Sequence, residues 1–150
     1  MLKATRLWLG LAALAAAVGF SGCATTTSSQ PSKMQEKVVY HFNDSANATA
    51  GMNNIRNHLS ASPNAKIVAV THGKGIDFLL DGAADKDGNP YNVKVEELQA
   101  KGVEFRVCNN TLVSRKVDPK TVLPGAKIVP SGVAEIGKLQ AQDGYVYLKP

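Results

Sequence analysis

Only two cysteines occur in the 150 residues, Cys23 and Cys108, so no framework of disulfides can hold this chain together. Aromatic residues are few, and nowhere do they interleave with basic ones to make the usual footprint of nucleic-acid binding. The apolar runs all fall short of the roughly 20 residues that a membrane-spanning helix needs. A Gly-x-Ser-x-Gly elbow is missing, which leaves a serine-hydrolase reading without support. Nor is there a Walker sequence, a GxGxxG fingerprint or an internal repeat, so no cofactor is expected. A chain of this length has room for one domain and not two.

What is present begins at the N-terminus. Lys3 and Arg6 precede the uncharged run Leu7 to Phe20, the layout of a secretory signal over residues 1–22. The run closes on Phe20-Ser21-Gly22-Cys23, which resembles a bacterial lipobox, where the cysteine thiol is acylated and becomes the new N-terminus. Ordinary cleavage near Gly22-Cys23-Ala24 is the competing reading. Ala24 in place of Asp after the cysteine points, by analogy with enterobacterial sorting, to the outer membrane. Residues 23–36, rich in Thr, Ser, Gln and Pro, have almost nothing to bury and read as a disordered tether. A folded domain then occupies 37–150. Loss of Lys3 and Arg6 takes the 17 basic residues to 15 against 12 acidic ones, a formal charge of +3. So mild and scattered a balance gives no reason to expect a nucleic-acid partner.

Five short β-rich runs, at 37–42, 66–71, 103–108, 126–129 and 145–148, alternate with helical patterns. That alternation predicts an α/β domain with a parallel sheet covered by helices on both faces. Most runs are apolar at consecutive positions, as strands buried on both sides must be. Helices are expected at about 45–59, where Ala48, Met52, Ile55 and Leu59 share a face behind Asp44 as cap, and at about 75–83, 92–100 and 111–117. A last helix starts behind Ser131 and ends at Gly144. The segment Asp85 to Pro90 reads as a solvated turn, since its acidic spacing fails the calcium-loop pattern. Glu96 and Glu97 diverge on a helix and read as a solvated face, and His58 sits near a helix C-terminus as a favourable dipole contact.

In open parallel sheets ligands bind beyond the carboxyl ends of the strands. That rule selects His41, Asn43 and Asp44 after the first strand, His72, Gly73 and Lys74 after the second, and Cys108 with Asn109 and Asn110 after the third. If those strands are neighbours, each about 4.8 Å from the next, His41, His72 and Cys108 line one edge. Three readings of that edge stay open. Cys108, beside a histidine and a helix start, could be an activated, accessible thiol with His72 as its activator. The three side chains could instead bind zinc or copper, although their spacing matches no metal motif. Or Cys108 is a small buried hydrophobe and the histidines are satisfied locally. Thr71 to Gly75 could offer amides and Lys74 to an anion, or be a tight turn that needs glycine.

The stretches KVVYHFND, NIRNHL, AKIVAVTHGKGIDFLL, GVEFRVCNNTL and PSGVAEIGKLQAQDGYVYLKP resemble the DsrE/DsrF-like sulfur-relay family, in its exported single-domain lipoprotein branch. The resemblance covers essentially all of 37–150. It implies a three-layer α/β/α sandwich on a five-stranded parallel sheet in which the first three strands are neighbours. It further implies a persulfide-accepting cysteine at the end of the third strand, where Cys108 stands, with a sulfur donor and acceptor still to be identified. Assembly into trimers or hexamers is the family habit. The well-understood sulfur-transfer members are cytoplasmic, which this exported chain is not expected to be. The rival expectation is a non-catalytic lipoprotein that binds a small ligand or a protein partner through the same edge.

Overall fold

The computed structural model describes residues 35–150. The signal at 1–22, the lipidation site Cys23 and the tether as far as residue 34 lie outside the described residues. Five strands, β1 (Lys37–Phe42), β2 (Lys66–Thr71), β3 (Glu104–Cys108), β4 (Lys127–Val129) and β5 (Val146–Leu148), form one sheet in the order β4-β3-β2-β1-β5. Every pairing is parallel. Four α-helices connect or follow them: α1 (Ala48–Ala61), α2 (Tyr91–Ala100), α3 (Asn109–Arg115) and α4 (Gly132–Ala141). Strands at the centre of the sheet are apolar at consecutive positions, and Ile67 to Thr71 of β2 are buried throughout. This is the α/β sandwich that the strand pattern predicts.

The two faces are covered unequally. Under α1 and α2, Val38, Tyr40 and Phe42 of β1, Ile67 and Ala69 of β2, and Phe105 and Val107 of β3 pack with Met52, Ile55, Val95 and Leu98. Opposite them, Val39, Val68 and Val70 meet only Ile136 and Leu139 of α4 and Tyr145. A side chain that looks up on one residue looks down on the next, so each strand contributes to both cores.

Local signals fixed most boundaries. Asp44 accepts a hydrogen bond from the Ala46 amide at 2.9 Å and opens a short 3-10 turn ahead of α1. Ser131 caps α4 through the Ala134 amide, and Gly144 ends the following turn with φ +71°. The helix expected at 75–83 is a correction: the chain forms a 3-10 helix at Gly73–Leu79 and leaves it early. Its backbone is drawn off to pair with a distant segment, where Leu123 N–H donates to Leu79 O and Asp81 N–H to Thr121 O. The helix expected at 111–117 starts directly at the strand end, at Asn109. Asp85 is an internal turn acceptor, taking hydrogen bonds from the amides of Asp87 and Asn89 and pairing with Lys94 at 3.0 Å. Among the described residues no helix is long and apolar enough to cross a membrane.

Candidate functional site

Strand order and alternation together assemble the site. Val39 and Val70 point under α4, so His41 and His72, each two residues further on, point the same way. On β3 the same face carries Glu104, Arg106 and Cys108, with Arg106 bonded to Glu135 of α4. Tyr147 of β5 is paired with Val39 and shares that face too. Because β3, β2, β1 and β5 lie side by side, Cys108, His72, His41 and Tyr147 fall on one line across the carboxyl end of the sheet.

Three of the four are joined. His41 Nε2 and His72 Nε2 lie 2.6 Å apart, and His41 Nδ1 lies 2.7 Å from the Tyr147 hydroxyl oxygen. The imidazole centroids are 4.7 Å apart with their planes 27° from parallel. Rings whose Nε2 atoms nearly touch at that centroid distance are set end to end, not face to face. One Nε2 must therefore carry the hydrogen and the other accept it. Burial holds the pKa of His41 below the ordinary histidine value, with help from His72 and Lys149. Burial, then Lys149, does the same for His72. A second proton on the pair would set two N–H groups nose to nose, so the two rings titrate as one unit.

Cys108 stands at the far end of the line. It is 4% exposed, which corrects the expectation of an accessible thiol: the sulfur is covered where β3 passes into α3 and where α4 begins. Burial pushes its pKa up. The Gly132 amide and the hydroxyl and amide of Thr111, close to the sulfur, and the Asn110 amide, itself bonded to the Pro130 carbonyl at 3.3 Å, more than offset that and leave the thiol below its ordinary value. Those donors come from the first turns of two helices, where amide hydrogens lack intrahelical partners. Thr111 is held for the task, because its Oγ1 also accepts the Gly73 N–H at 3.0 Å. Gly132 is the hinge of the arrangement. A Cβ there would lie 3.0 Å from the Thr71 carbonyl oxygen and 3.2 Å from the Cβ atoms of both Cys108 and His72. The cysteine and the histidine thus flank one buried glycine.

The other expected residues do not join them. Among the described residues no three His, Cys, Asp or Glu side chains gather into a set able to hold a metal ion, so the joint His41, His72 and Cys108 metal site is a correction. Each histidine spends its Nε2 on the other. Asp44 is occupied as a cap and lines a separate depression of about 330 Å³ with Asp77, Phe78 and Tyr91. Asn43 and Lys74 are exposed, and Asn109 is half-buried. Gly73 has φ +57°, with its carbonyl bound by Arg115 at 3.0 Å. That geometry fits the tight-turn reading of Thr71 to Gly75. His58 does more than face a helix dipole: its Nδ1 lies 3.0 Å from the Tyr40 hydroxyl and its Nε2 2.8 Å from Glu36. Glu97, on the solvated face expected for it, pairs with Arg56 and Lys101.

Tyr147, Thr111, Gly132 and Lys149 were missed by sequence reasoning. The signal for Gly132 was partly present, since Ser131 reads as a cap and the residue behind a cap presents a free amide. For Tyr147 the missing step was that β5 lies beside β1.

The model of the DsrE/DsrF-like family matches residues 24–150. No curated protein matches the chain. Among solved structures, protein MTH1491 of Methanobacterium thermoautotrophicum, described as of unknown function, is 28% identical with a TM-score of 0.69. The likeness covers 77% of this chain and all of that one. The ychN protein of E. coli, 15% identical, shares the fold with a TM-score of 0.64 over 78% of this chain and all of its own.

Proposed function

We propose that this chain, which belongs to the DsrE/DsrF-like family linked to sulfur relay, accepts and passes on sulfur through Cys108. The observation that carries this reading is the position of the thiol at the start of α3 and against Gly132, the start of α4, a setting that holds its pKa below the ordinary value. The thiolate is the nucleophile in sulfur transfer, and amides at helix starts favour it without a neighbouring cation. The same donors would stabilise the persulfide anion that forms when the thiolate takes a sulfane sulfur from a donor. His72, on the other side of Gly132, is a base beside the same glycine.

Acylation at Cys23, placement on the periplasmic side of a membrane, more specifically the outer one, and assembly into a trimer or hexamer belong to the same proposal. Their support is the signal layout, the Ser- and Thr-rich tether and the family resemblance.

One observation favours a second reading. A thiol 4% exposed suits a non-catalytic lipoprotein in which Cys108 is a packing residue and a partner docks elsewhere. Treating the folded full chain with inorganic polysulfide and measuring intact mass separates the two. The sulfur reading expects sulfur added at Cys108 and none on a Cys108→Ser chain. A folded chain that gains no sulfur, and whose thiol reacts only after denaturation, would leave the binding reading in its place. The same spectrum reports whether Cys23 carries lipid.

A further inference from the structure

We infer that Tyr147, His41 and His72 form a proton relay between solvent and Cys108, in which His72 takes the thiol proton and His41 and Tyr147 are positioning residues that act through it. The inference rests on the sulfur-acceptor reading of Cys108 and adds residues that nothing in the family resemblance assigns.

Three features of the line carry it. The contacts of 2.7 Å and 2.6 Å are continuous from the Tyr147 hydroxyl through both nitrogens of His41 to His72 Nε2. Tyr147 is 36% exposed whereas Cys108 is 4% exposed, so one end of the line meets water and the other is shielded from it. His72 Nε2 is committed to His41, and His72 and Cys108 flank Gly132, where an added Cβ would lie 3.2 Å from the Cβ of each; no hydrogen bond joins His72 to the sulfur at rest, so the transfer requires the thiol to turn toward the free Nδ1.

The transfer balances without charge on either ring. At the start His72 bears its hydrogen on Nε2 and donates it to His41 Nε2, while His41 Nδ1–H donates to the Tyr147 oxygen. The thiol hydrogen of Cys108 moves to His72 Nδ1. The Nε2 hydrogen of His72 moves to His41 Nε2, the Nδ1 hydrogen of His41 moves to Tyr147, and the former hydroxyl hydrogen of Tyr147 leaves to water. Cys108 is then a thiolate, both imidazoles are neutral in their other tautomers, and one proton has reached solvent. No oxidant or reductant is involved.

The titratable groups around this line are few. Lys149, beyond β5, disfavours positive charge on both rings. From β3, Arg106 is bound to Glu104 and Glu135, and Glu104 to Lys127, so these four are engaged with one another. On α4 the only further charged side chain is Lys138, which is exposed. A neutral pair that shuttles hydrogens suits this setting better than a pair that stores charge.

The test measures the rate of sulfur uptake by Cys108 from inorganic polysulfide against pH, for the full chain and for Tyr147→Phe, His41→Gln and His72→Gln. Gln at 41 still fills the space and can hydrogen-bond, but cannot exchange one proton for another across a ring. The relay predicts that all three variants lose about tenfold or more below the thiol pKa, where proton removal limits the rate. It predicts that they converge on the parent at high pH, where hydroxide takes the thiol proton directly. Unchanged profiles for Tyr147→Phe and His41→Gln would overturn the relay while leaving the sulfur reading intact, as would a loss equal at every pH. ¹⁵N NMR of the histidine rings supplies a readout independent of sulfur chemistry. The relay requires the two rings to titrate together and to shift in Cys108→Ser. If polysulfide adds nothing to the parent, the sulfur reading falls and the relay with it; rings that titrate together but do not shift in Cys108→Ser overturn the relay alone.

Discussion

The face of the sheet under α1 and α2 and the face under α4 are built by the same five strands, yet they present different chemistry. The first is a continuous apolar core in which the Phe78 ring meets those of both Phe42 and Phe105. The second has a small cluster of valines under Ile136 and Leu139, and around it stand His41, His72, Cys108, Arg106, Glu104 and Tyr147. Burying polar groups costs stability unless each finds a partner, so the face that holds them is not the face that holds the fold together. One helix rather than two covers it. That one helix starts against Cys108, with Gly132 beside the cysteine's Cβ.

The sharpest way to break this comparison is to truncate both faces and read stability and thiol chemistry separately. Phe105→Ala empties a fully buried site between Phe78 and the helices, and should cost about 3–5 kcal/mol in urea denaturation. A loss below about 1 kcal/mol would mean that the first face is not the main core. Arg106→Met, on the second face, leaves Glu104 and Glu135 without their shared partner, with side chains 30% and 16% exposed. A loss of about 2 kcal/mol is expected, short of the cost of breaking a fully buried pair. Adding Glu104→Gln and Glu135→Gln should return most of it. If Arg106→Met is neutral alone, the ion cluster is not what seats α4.

How much of this could be read from residues alone depends on how far each feature reaches along the chain. Strands β1 and β2 have the bounds that their unbroken apolar runs predict, because a strand buried on both faces records that burial at every position. The line of His41, His72 and Cys108 followed from strand ends plus adjacency of three strands. Ile76, Leu79 and Leu80 have helical spacing, but a longer helix there lost to pairing with residues 121–123, which no local pattern contains. The covering of Cys108 was equally invisible, since it comes from the start of α4, remote in sequence. Tyr147 needed the sheet order, in which the last strand returns to lie beside the first.

A smaller effect sharpens the contrast at the point where α4 meets the site. Gly132→Ala supplies a better helix former, worth up to about 1 kcal/mol in a free helix. Its methyl group would press on the Thr71 carbonyl and on the Cβ atoms of Cys108 and His72 at 3.0–3.2 Å, and the carbonyl is backbone that yields little. The net expectation is a loss of about 1 kcal/mol. The 132 amide would also move off the sulfur, so the alkylation profile of Cys108 should shift to higher pH. A more stable Gly132→Ala chain with an unshifted profile would show that α4 is free to retreat and that its first amide does not govern the thiol.

The smallest expected effect is the pH dependence of stability, and its sign distinguishes the two ends of the line. His41 and His72 have folded pKa values below the ordinary value, so unfolding takes up protons as the pH falls. Their contribution is full above the unfolded value near 6.5 and is lost as the pH drops toward the folded values. Cys108 is also lowered, but as an acid: the folded state favours its thiolate, and that contribution is present above the unfolded thiol value near 8.5 and lost as the pH falls through the folded one. Stability should therefore rise with pH in two separate steps, one ending near 6.5 and one ending near 8.5. Glu97 titrates at about 2 through its hydrogen bonds from Arg56 and Lys101, well below the first window. Solvent around the half-exposed histidines keeps the lower step well under about 1 kcal/mol. Urea denaturation from pH 5 to 9 measures both. His41→Gln with His72→Gln should remove the lower step alone and Cys108→Ser the upper one alone. A lower step that survives the double histidine change would put the titrating groups elsewhere than at the end-to-end pair.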